Sequence, residues 1–271
     1  MMAGSSSSKG KQRRDSILNM LKQNGRLTVQ EIVEAFACSE ATARRDLDML
    51  EKTEPIIRTI GGALYDGFSA TREISFTERK HYAWIEKELI AEKAASLIEE
   101  GDVIGLSGGT TTYLIAKALK MRRGITVVTN AVNIAVELAD NDEIQIVVIG
   151  GIMRNKSFEL CGPLAEKMVE NLNIGKMFLG IDGISSQGVS TYSESEAQIA
   201  KALIKRSGQT YAVFDQSKVD KNSLFSIAPL SSIYACITDA RNIGEELGQE
   251  LENIGVKQYL VQSSGKREGN V

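Results

Sequence analysis

The run Ser107-Gly108-Gly109-Thr110-Thr111-Thr112 joins a short apolar segment, 103–106, to a stretch with helical spacing. Glycines let backbone N–H groups close on an anion. The threonine hydroxyls add donors, and a helix N-terminus adds positive potential. That combination suits a phosphate. It is not a Walker A loop, because no Gly-Lys-Ser/Thr follows. An ordinary glycine-rich turn is the plainer alternative. Other polar residues also follow apolar runs: Thr129 and Asn130, Gly150-Gly151 with Arg154, Asp182, and Asp215 with Lys218. Each has a plain reading as well. Asn130 can cap a helix, Asp182 can close a turn, and Lys218 can be a solvated loop lysine. Their shared position favours one site. Asp182, Glu194, Glu196 and Lys201 could alternatively supply the acid–base groups of an enzyme.

A second group lies in residues 28–50. Thr28 with Glu31 three residues on is a capping box. Val29, Ile32, Val33 and Phe36 then repeat at helical spacing. Ala37-Cys38-Ser39 makes a corner, and Ser39 can N-cap the next helix. Ala43, Leu47 and Leu50 form that helix's inner face, which turns Ala41, Arg45, Asp48 and Lys52 outward with Arg44 on the flank. Small residues and arginines on an outer face suit a helix in the DNA major groove. The plain alternative is a packed helix pair with a solvated face.

The elements that position these groups are readable in outline. Residues 1–10 are Ser-, Gly- and Lys-rich and are expected to be a disordered tail. Lys9, Lys11, Arg13 and Arg14 are candidates for phosphate contacts, with a merely solubilising tail as the plain alternative. A first helix carries Ile17, Leu18 and Leu21 and stops at Gly25. Pro55 ends the helix that carries Arg45, and β-prone Ile56, Ile57 and Thr59 precede the turn Gly61-Gly62. Three helices and a β-ribbon make a winged helix-turn-helix over 11–66, with Arg58 on the wing. Residues 67–83 read as a linker, in which Glu73, Phe76, Arg79, Lys80 and the lone histidine, His81, show weak periodicity.

From Trp84 the pattern becomes strand–helix alternation. Ile85, Leu89, Ile90, Ala94, Leu97 and Ile98 keep helical spacing. Strands are expected at 103–106, 125–129, 144–149, 176–181, 209–214, 232–238 and 257–261. Helices are expected at 113–119, 132–139, 164–171, 194–206 and 243–254. This pattern predicts a mainly parallel α/β sheet over 84–262, covered on both sides, with ligands at the carboxyl ends of its strands. Residues 263–271 read as a C-terminal tail.

The 271 residues accommodate a small domain and a larger one, and 42% hydrophobic content gives an ordinary core. No apolar run is long enough for a membrane span, and the N-terminus has no secretory pattern. Cys38, Cys161 and Cys236 are far apart and odd in number. They argue against structural zinc and for a reduced, cytoplasmic setting. Residues 1–62 hold 10 basic and 8 acidic side chains, whereas the remainder holds 22 and 27. That asymmetry favours an N-terminal contact with a polyanion.

Residues 28–52 followed by Ile56-Ile57-Arg58-Thr59-Ile60-Gly61-Gly62-Ala63-Leu64 resemble the DNA-binding domain of the DeoR family of bacterial transcription regulators. The departures are Ala37-Cys38, where the family has a Gly-Val pair, and Ile60, where it has His. The family's Gly after the recognition helix is replaced near Glu54-Pro55. GDVIGLSGGTTT, TVVTN, IGGIMR, FLGIDGI, STYSESEA and VFDQSK resemble the family's effector domain in order and spacing. The resemblance covers 11–262 and implies a fold similar to ribose-5-phosphate isomerase and glucosamine-6-phosphate deaminase. It also implies sensing of a phosphorylated sugar or related metabolite, binding of double-stranded operator DNA, and no cofactor.

On this reading Thr28, Ser39, Glu40, Ala41, Thr42, Arg44, Arg45, Asp48 and Arg58 contact DNA. The effector is held by Ser107, Gly108, Gly109, Thr110, Thr111, Thr112, Thr129, Asn130, Arg154, Asp182, Glu194, Glu196 and Lys218. Helix-turn-helix proteins read paired half-sites, so a homo-oligomer is expected. Against an enzyme stand the lack of histidine beyond residue 81 and a lysine, Lys201, one place away from its position in the family.

Overall fold

The computed structural model describes residues 5–24, 26–54, 56–59, 61–65, 75–80, 82–240 and 243–262. The expectations placed on Gly25, Pro55, Ile60, Glu73, His81 and the last nine residues lie outside these. So do those placed on residues 1–4 and on the Ile57 side chain. The chain divides into two compact units, Met1–Tyr82 and Ala83–Val271.

In the first unit, α1 (Ser5–Asn24) precedes β1 (Arg26–Thr28), α2 (Val29–Phe36), α3 (Glu40–Glu51), β2 (Ile56–Thr59) and β3 (Gly62–Tyr65). The expected tail is therefore partly helix, since α1 begins at Ser5 rather than beyond residue 10. The capping box forms as expected. Thr28 accepts from the Glu31 N–H at 3.1 Å, and Glu31 accepts from the Thr28 N–H at 2.7 Å. Ser39 caps α3. Ile17, Leu21, Ile32, Ala43 and Leu47 are fully buried and form the core. The strands form an antiparallel sheet in the order β1-β3-β2. A Cβ on Gly62 would lie 2.0 Å from the Leu27 carbonyl oxygen, so only glycine lets β1 and β3 meet here. The three residues of β1 give no periodic signal and were not expected as a strand. A second difference falls in the 67–83 segment. It contains α4 (Phe76–Arg79), capped by a Ser75–Glu78 box.

The second unit opens with α5 (Trp84–Ser96), β4 (Val103–Leu106), α6 (Thr110–Leu119), β5 (Ile125–Thr129), α7 (Val132–Leu138) and β6 (Ile144–Val148). A hairpin follows, β7 (Ile152–Arg154) and β8 (Glu159–Cys161), then α8 (Pro163–Val169) and β9 (Ile174–Gly180). After β10 (Gly183–Ser185) and β11 (Gly188–Thr191) come α9 (Glu194–Lys205), β12 (Ser207–Phe214), β13 (Phe225–Ala228), β14 (Ala235–Thr238), α10 (Glu245–Ile254) and β15 (Lys257–Leu260). The main sheet has seven strands in the order β15-β14-β12-β9-β4-β5-β6, and every pairing is parallel.

Alternate residues of each strand face opposite layers, as the period of two requires. Ile104, Val127, Phe178, Tyr211 and Ile237 pack under α5, α6 and α7. Val128, Met177, Leu179, Ala212 and Cys236 pack under α8, α9 and α10. The near-continuous apolar strands are those of a sheet covered on both faces. The β7–β8 hairpin and a small antiparallel sheet, β10-β11-β13, are additions that the sequence pattern did not announce. No helix among the described residues is long and apolar enough to cross a membrane.

From β4 the chain moves outward through β5 and β6. It then returns to β9 on the other side of β4 and proceeds to β12, β14 and β15. The boundary between β4 and β9 is thus a topological switch point, where open α/β sheets leave a crevice at their carboxyl edge.

Candidate functional site

On α3 the outward face is as the spacing predicts. Glu40, Ala41, Arg44, Arg45 and Asp48 are exposed, whereas Ala43, Leu47 and Leu50 are buried. Arg44 stands 3.5 Å from Glu40. Arg45 has no ion-pair or hydrogen-bond partner among the described residues. Thr28 and Ser39 have their hydroxyls engaged as caps, and Ser39 is also 2.9 Å from the Thr42 hydroxyl. Arg58 is not an extended wing arginine. Its Nε lies 3.1 Å from Asp48, and its Nη1 donates to the Gly62 carbonyl at 2.7 Å. Arg58 and Asp48 therefore tie the wing to α3. Arg13 and Arg14, candidates for phosphate contacts, both turn to Asp46, at 2.5 and 3.4 Å. Asp46 is buried on the inner side of α3, and burial of a carboxylate requires such partners.

In the second unit, residues 107–112 sit at the switch point. Ser107 is structural: its Oγ accepts from the Gly180 N–H at 2.9 Å and links β4 to β9. Gly109, at φ +131°, is the N-cap of α6, so all three threonines fall in the first turn of that helix rather than in a loop. Thr110, Thr111 and Thr112 are buried, and Thr112 donates to the Gly109 carbonyl at 3.1 Å. The backbone N–H groups of residues 108–112 have no acceptor among the described residues.

Neighbouring strand ends hold the other residues. Thr129 is a second strut, donating to the Leu106 carbonyl at 2.8 Å and accepting from the Ala131 N–H at 3.1 Å. Asn130 is fully buried and donates to Glu159 Oε2 at 3.0 Å. Arg154 reaches Glu196 at 3.1 Å and the Ser195 hydroxyl at 3.4 Å. Asp182 accepts from Thr191 at 3.0 Å and lies 3.8 Å from Lys218. Thr191 also donates to Glu196 at 3.2 Å. The structure therefore brings Asp182, Arg154, Glu196 and Lys218 into one linked group. Glu194 does not join it. Two residues along a helix is about 200°, so Glu194 is exposed while Glu196 is buried. Lys201 is likewise exposed.

Sequence reasoning missed three participants. Glu159, on β8, is 7% exposed, and Thr191 joins two carboxylates. Lys87 reads as an ordinary helix lysine but is 4% exposed and lies 3.8 Å from buried Asp215. Burial pushes Asp215 up, but Lys87, Lys218 and the Ser217 N–H together hold it below the usual carboxylate range. Asp239, after β14, is pushed up to about 6 by burial, with Asp215 and Glu86 adding to it. The Cys161 thiol is pushed up to about 12 by burial and then by Glu159 and Glu196. Among the described residues no cluster has the makings of a metal site.

The comparisons with known proteins agree with this architecture. Residues 13–67 match the DeoR-like helix-turn-helix domain, and residues 83–240 match the DeoR C terminal sensor domain. The chain is 35% identical to the HTH-type transcriptional regulator YulB of Bacillus subtilis (strain 168), over 84% of this chain and 88% of that one. It is 31% identical to the putative aga operon transcriptional repressor of Escherichia coli O157:H7, over 92% and 93%. It is also 31% identical to the glycerol-3-phosphate regulon repressor of Escherichia coli (strain K12), over 84% and 90%. Among solved structures, a D-ribose-5-phosphate isomerase in complex with phospho-erythronic acid overlaps 49% of this chain and 52% of that one. At 19% identity and a TM-score of 0.37 that likeness is too slight to build on. With both units matched in order, and relatives of nearly full length, the chain belongs to the DeoR family of DNA-binding transcription regulators.

Proposed function

We propose that this protein is a repressor of a carbohydrate pathway, whose hold on its operator is set by a phosphorylated sugar bound at the carboxyl edge of the seven-stranded sheet. One observation carries the sensing half. The N–H groups of residues 108–112 are left without acceptors at the switch point, where a helix N-terminus adds positive potential. A phosphate oxygen is the natural acceptor. Thr110 and Thr111 stand in the same turn, and Lys218 and Arg154 supply cationic charge at neighbouring strand ends. The names of relatives, repressors of the aga operon and the glycerol-3-phosphate regulon, support the pathway class.

On the DNA side, α3 enters the major groove. Arg45 and Arg44 read base edges or phosphates, and Ala41 allows close approach. Arg58 and Asp48 position the wing. The site holds its ligand rather than transforming it. Supporting this, Asp182 and Glu196 are each committed to Thr191 and to a cation. A ligand alters operator affinity only through different affinities for two states of the protein. The reading sets that difference in a homo-oligomer whose paired α3 helices contact two half-sites.

The test is thermal unfolding against a panel of sugar phosphates, with their parent sugars alongside. A ligand at 100 times its Kd adds about 2.7 kcal/mol. A shift with one phosphate and none with its parent sugar is expected. No shift with any phosphate overturns the sensing half and leaves the operator-binding half in place.

A further inference from the structure

The seven-stranded sheet has two open edges, and they differ. At one, β15 opens with exposed Lys257, a charge of the kind that guards an edge against a second strand. At the other, β6 reads Ile144-Gln145-Ile146-Val147-Val148, with no charge, proline or glycine. It pairs only with β5, and no described strand continues the ladder on its outer side. Such an edge fits one kind of partner, another strand.

Large apolar side chains border that edge. Ile152 on β7 is 73% exposed and Leu164 on α8 is 74% exposed. Val148, Met153 and Met168 are exposed as well. They are neighbours. The Gly150 N–H donates to the Met168 sulfur at 3.4 Å, and a Cβ on Gly151 would fall 3.1 Å from the Ala165 Cβ. Ile152 pairs with Cys161, just before α8. Leu164 and Met168 are one turn apart and share a face of α8, which exposed Lys167 flanks. Single apolar side chains are ordinary on a surface, but a group of them beside an unguarded strand marks an interface.

The charges say which partner. Exposed Asp142 and Glu143 stand before the start of β6, and Lys167, next to Met168, stands past its end. Two β6 strands paired antiparallel about a two-fold axis bring the start of each beside the end of the other. The acids of each copy then face the lysine of the other, and only uncharged residues meet between them. We propose that β6, with Ile152 of β7 and Leu164 and Met168 of α8, is the surface on which two copies of this chain pair, β6 against β6, joining two sheets into one. This inference rests on the homo-oligomer of the proposed function and names its surface. β7 also carries Arg154, which reaches Glu196, so the surface and the strand-end group share one short strand.

The experiment is sedimentation of the full chain over a concentration series. The wild type is expected to form a dimer or a larger even assembly. Leu164→Glu and Ile152→Glu each put a charge in the apolar centre and are expected to raise the dissociation constant of that pairing about tenfold or more. Leu260→Glu, at the opposite edge of the sheet, is expected to leave it within about twofold. Glu143→Lys and Lys167→Glu each set like charges together and are expected to weaken pairing about threefold or more, and a chain with both reversals is expected to recover most of that loss.

Circular dichroism checks that each variant folds. Should Leu164→Glu and Ile152→Glu not fold, the charge reversals decide alone. A wild-type assembly that none of these changes weakens more than Leu260→Glu does has its pairing elsewhere, which overturns this proposal and leaves the homo-oligomer standing. Weakening without recovery in the double reversal overturns the antiparallel β6 pair. A wild type that stays a single chain at every concentration removes the homo-oligomer of the proposed function and this inference with it.

Discussion

The outer face of α3 and the strand-end site both combine arginine with carboxylate, yet they are built on opposite terms. On α3 the groups stand in water. Arg44 and Glu40 form an exposed pair of a kind worth well under about 1 kcal/mol, and Arg45 is uncommitted. At the strand ends the carboxylates are buried and held by partners: Asp182 by Thr191 and Lys218, Glu196 by Arg154, Asp215 by Lys87. On the proposed reading, a surface that meets a long polyanion keeps Arg45 free and holds Arg44 only by a weak exposed pair. On the same reading, the crevice fixes its acceptors before the ligand arrives, which lowers the cost of ordering on binding.

The largest effect expected from this contrast is in the buried set. Lys87→Met leaves Asp215 without its close cation, in a place where the carboxylate is buried. It should cost about 3 kcal/mol or more, read as a lower urea midpoint for the sensor unit. A loss under about 1 kcal/mol would mean that the buried charges are as loosely held as those on α3. Next in size, Arg45→Ala should weaken specific operator binding by about 1–3 kcal/mol in a mobility-shift titration, with the urea midpoint unchanged. Unaltered binding would remove Arg45 from the reading face.

A smaller change sharpens the comparison from the other side. Ala37 takes φ +45° at the corner between α2 and α3, a left-handed conformation that suits glycine. Ala37→Gly should therefore stabilise the first unit, by about 0.5–1 kcal/mol. A destabilising result would show that the corner is held by contacts rather than by backbone preference.

The buried set also carries a pH dependence. Asp239 is raised to about 6 in the folded state against about 3.9 for an unperturbed aspartate. The folded state thus binds the extra proton, and this group removes stability as pH rises from about 4 through 6. Asp239→Asn should be more stable than the wild type above pH 6, and the difference should vanish below about pH 4. Urea midpoints at several pH values give the answer, and a difference independent of pH would assign it to packing.

How much of this was legible in the sequence follows from the same contrast. The α3 face was readable because a surface helix announces itself by period. Ala43, Leu47 and Leu50 fix the inner stripe, and Arg45 follows by geometry. The caps at Thr28 and Ser39 were readable because capping is local, and β5 was placed at its observed limits because its apolar run is bounded by polar residues. Glu159 was not readable. Its partner Asn130 is 29 residues away, and the three-residue strands β7 and β8 that bring them together carry no pattern. Lys87 failed for a related reason: nothing local says that one lysine of α5 will be covered. Arg13, Arg14 and Arg58 read as candidates for DNA contacts, and their ion-pair partners within the chain were not readable. Asp46 lies more than thirty residues from Arg13 and Arg14, and Asp48 meets Arg58 only once β2 packs on α3.

The switch point between β4 and β9 also bears on the order in which the molecule comes into being. Ile104 must wait for Lys176 before the middle of the sheet exists, and Cys236 must wait for Gln258 at its edge. The first unit closes its core, from Ile17 to Ala63, with residues already made. At about 5–20 residues per second, synthesis of the remainder takes roughly ten to forty seconds more. For much of that interval a nascent chain carries a reading head with its core complete and a sensor whose β4 still lacks β9. The central sheet of the sensor is thus completed later than the core of the reading head as each molecule is made.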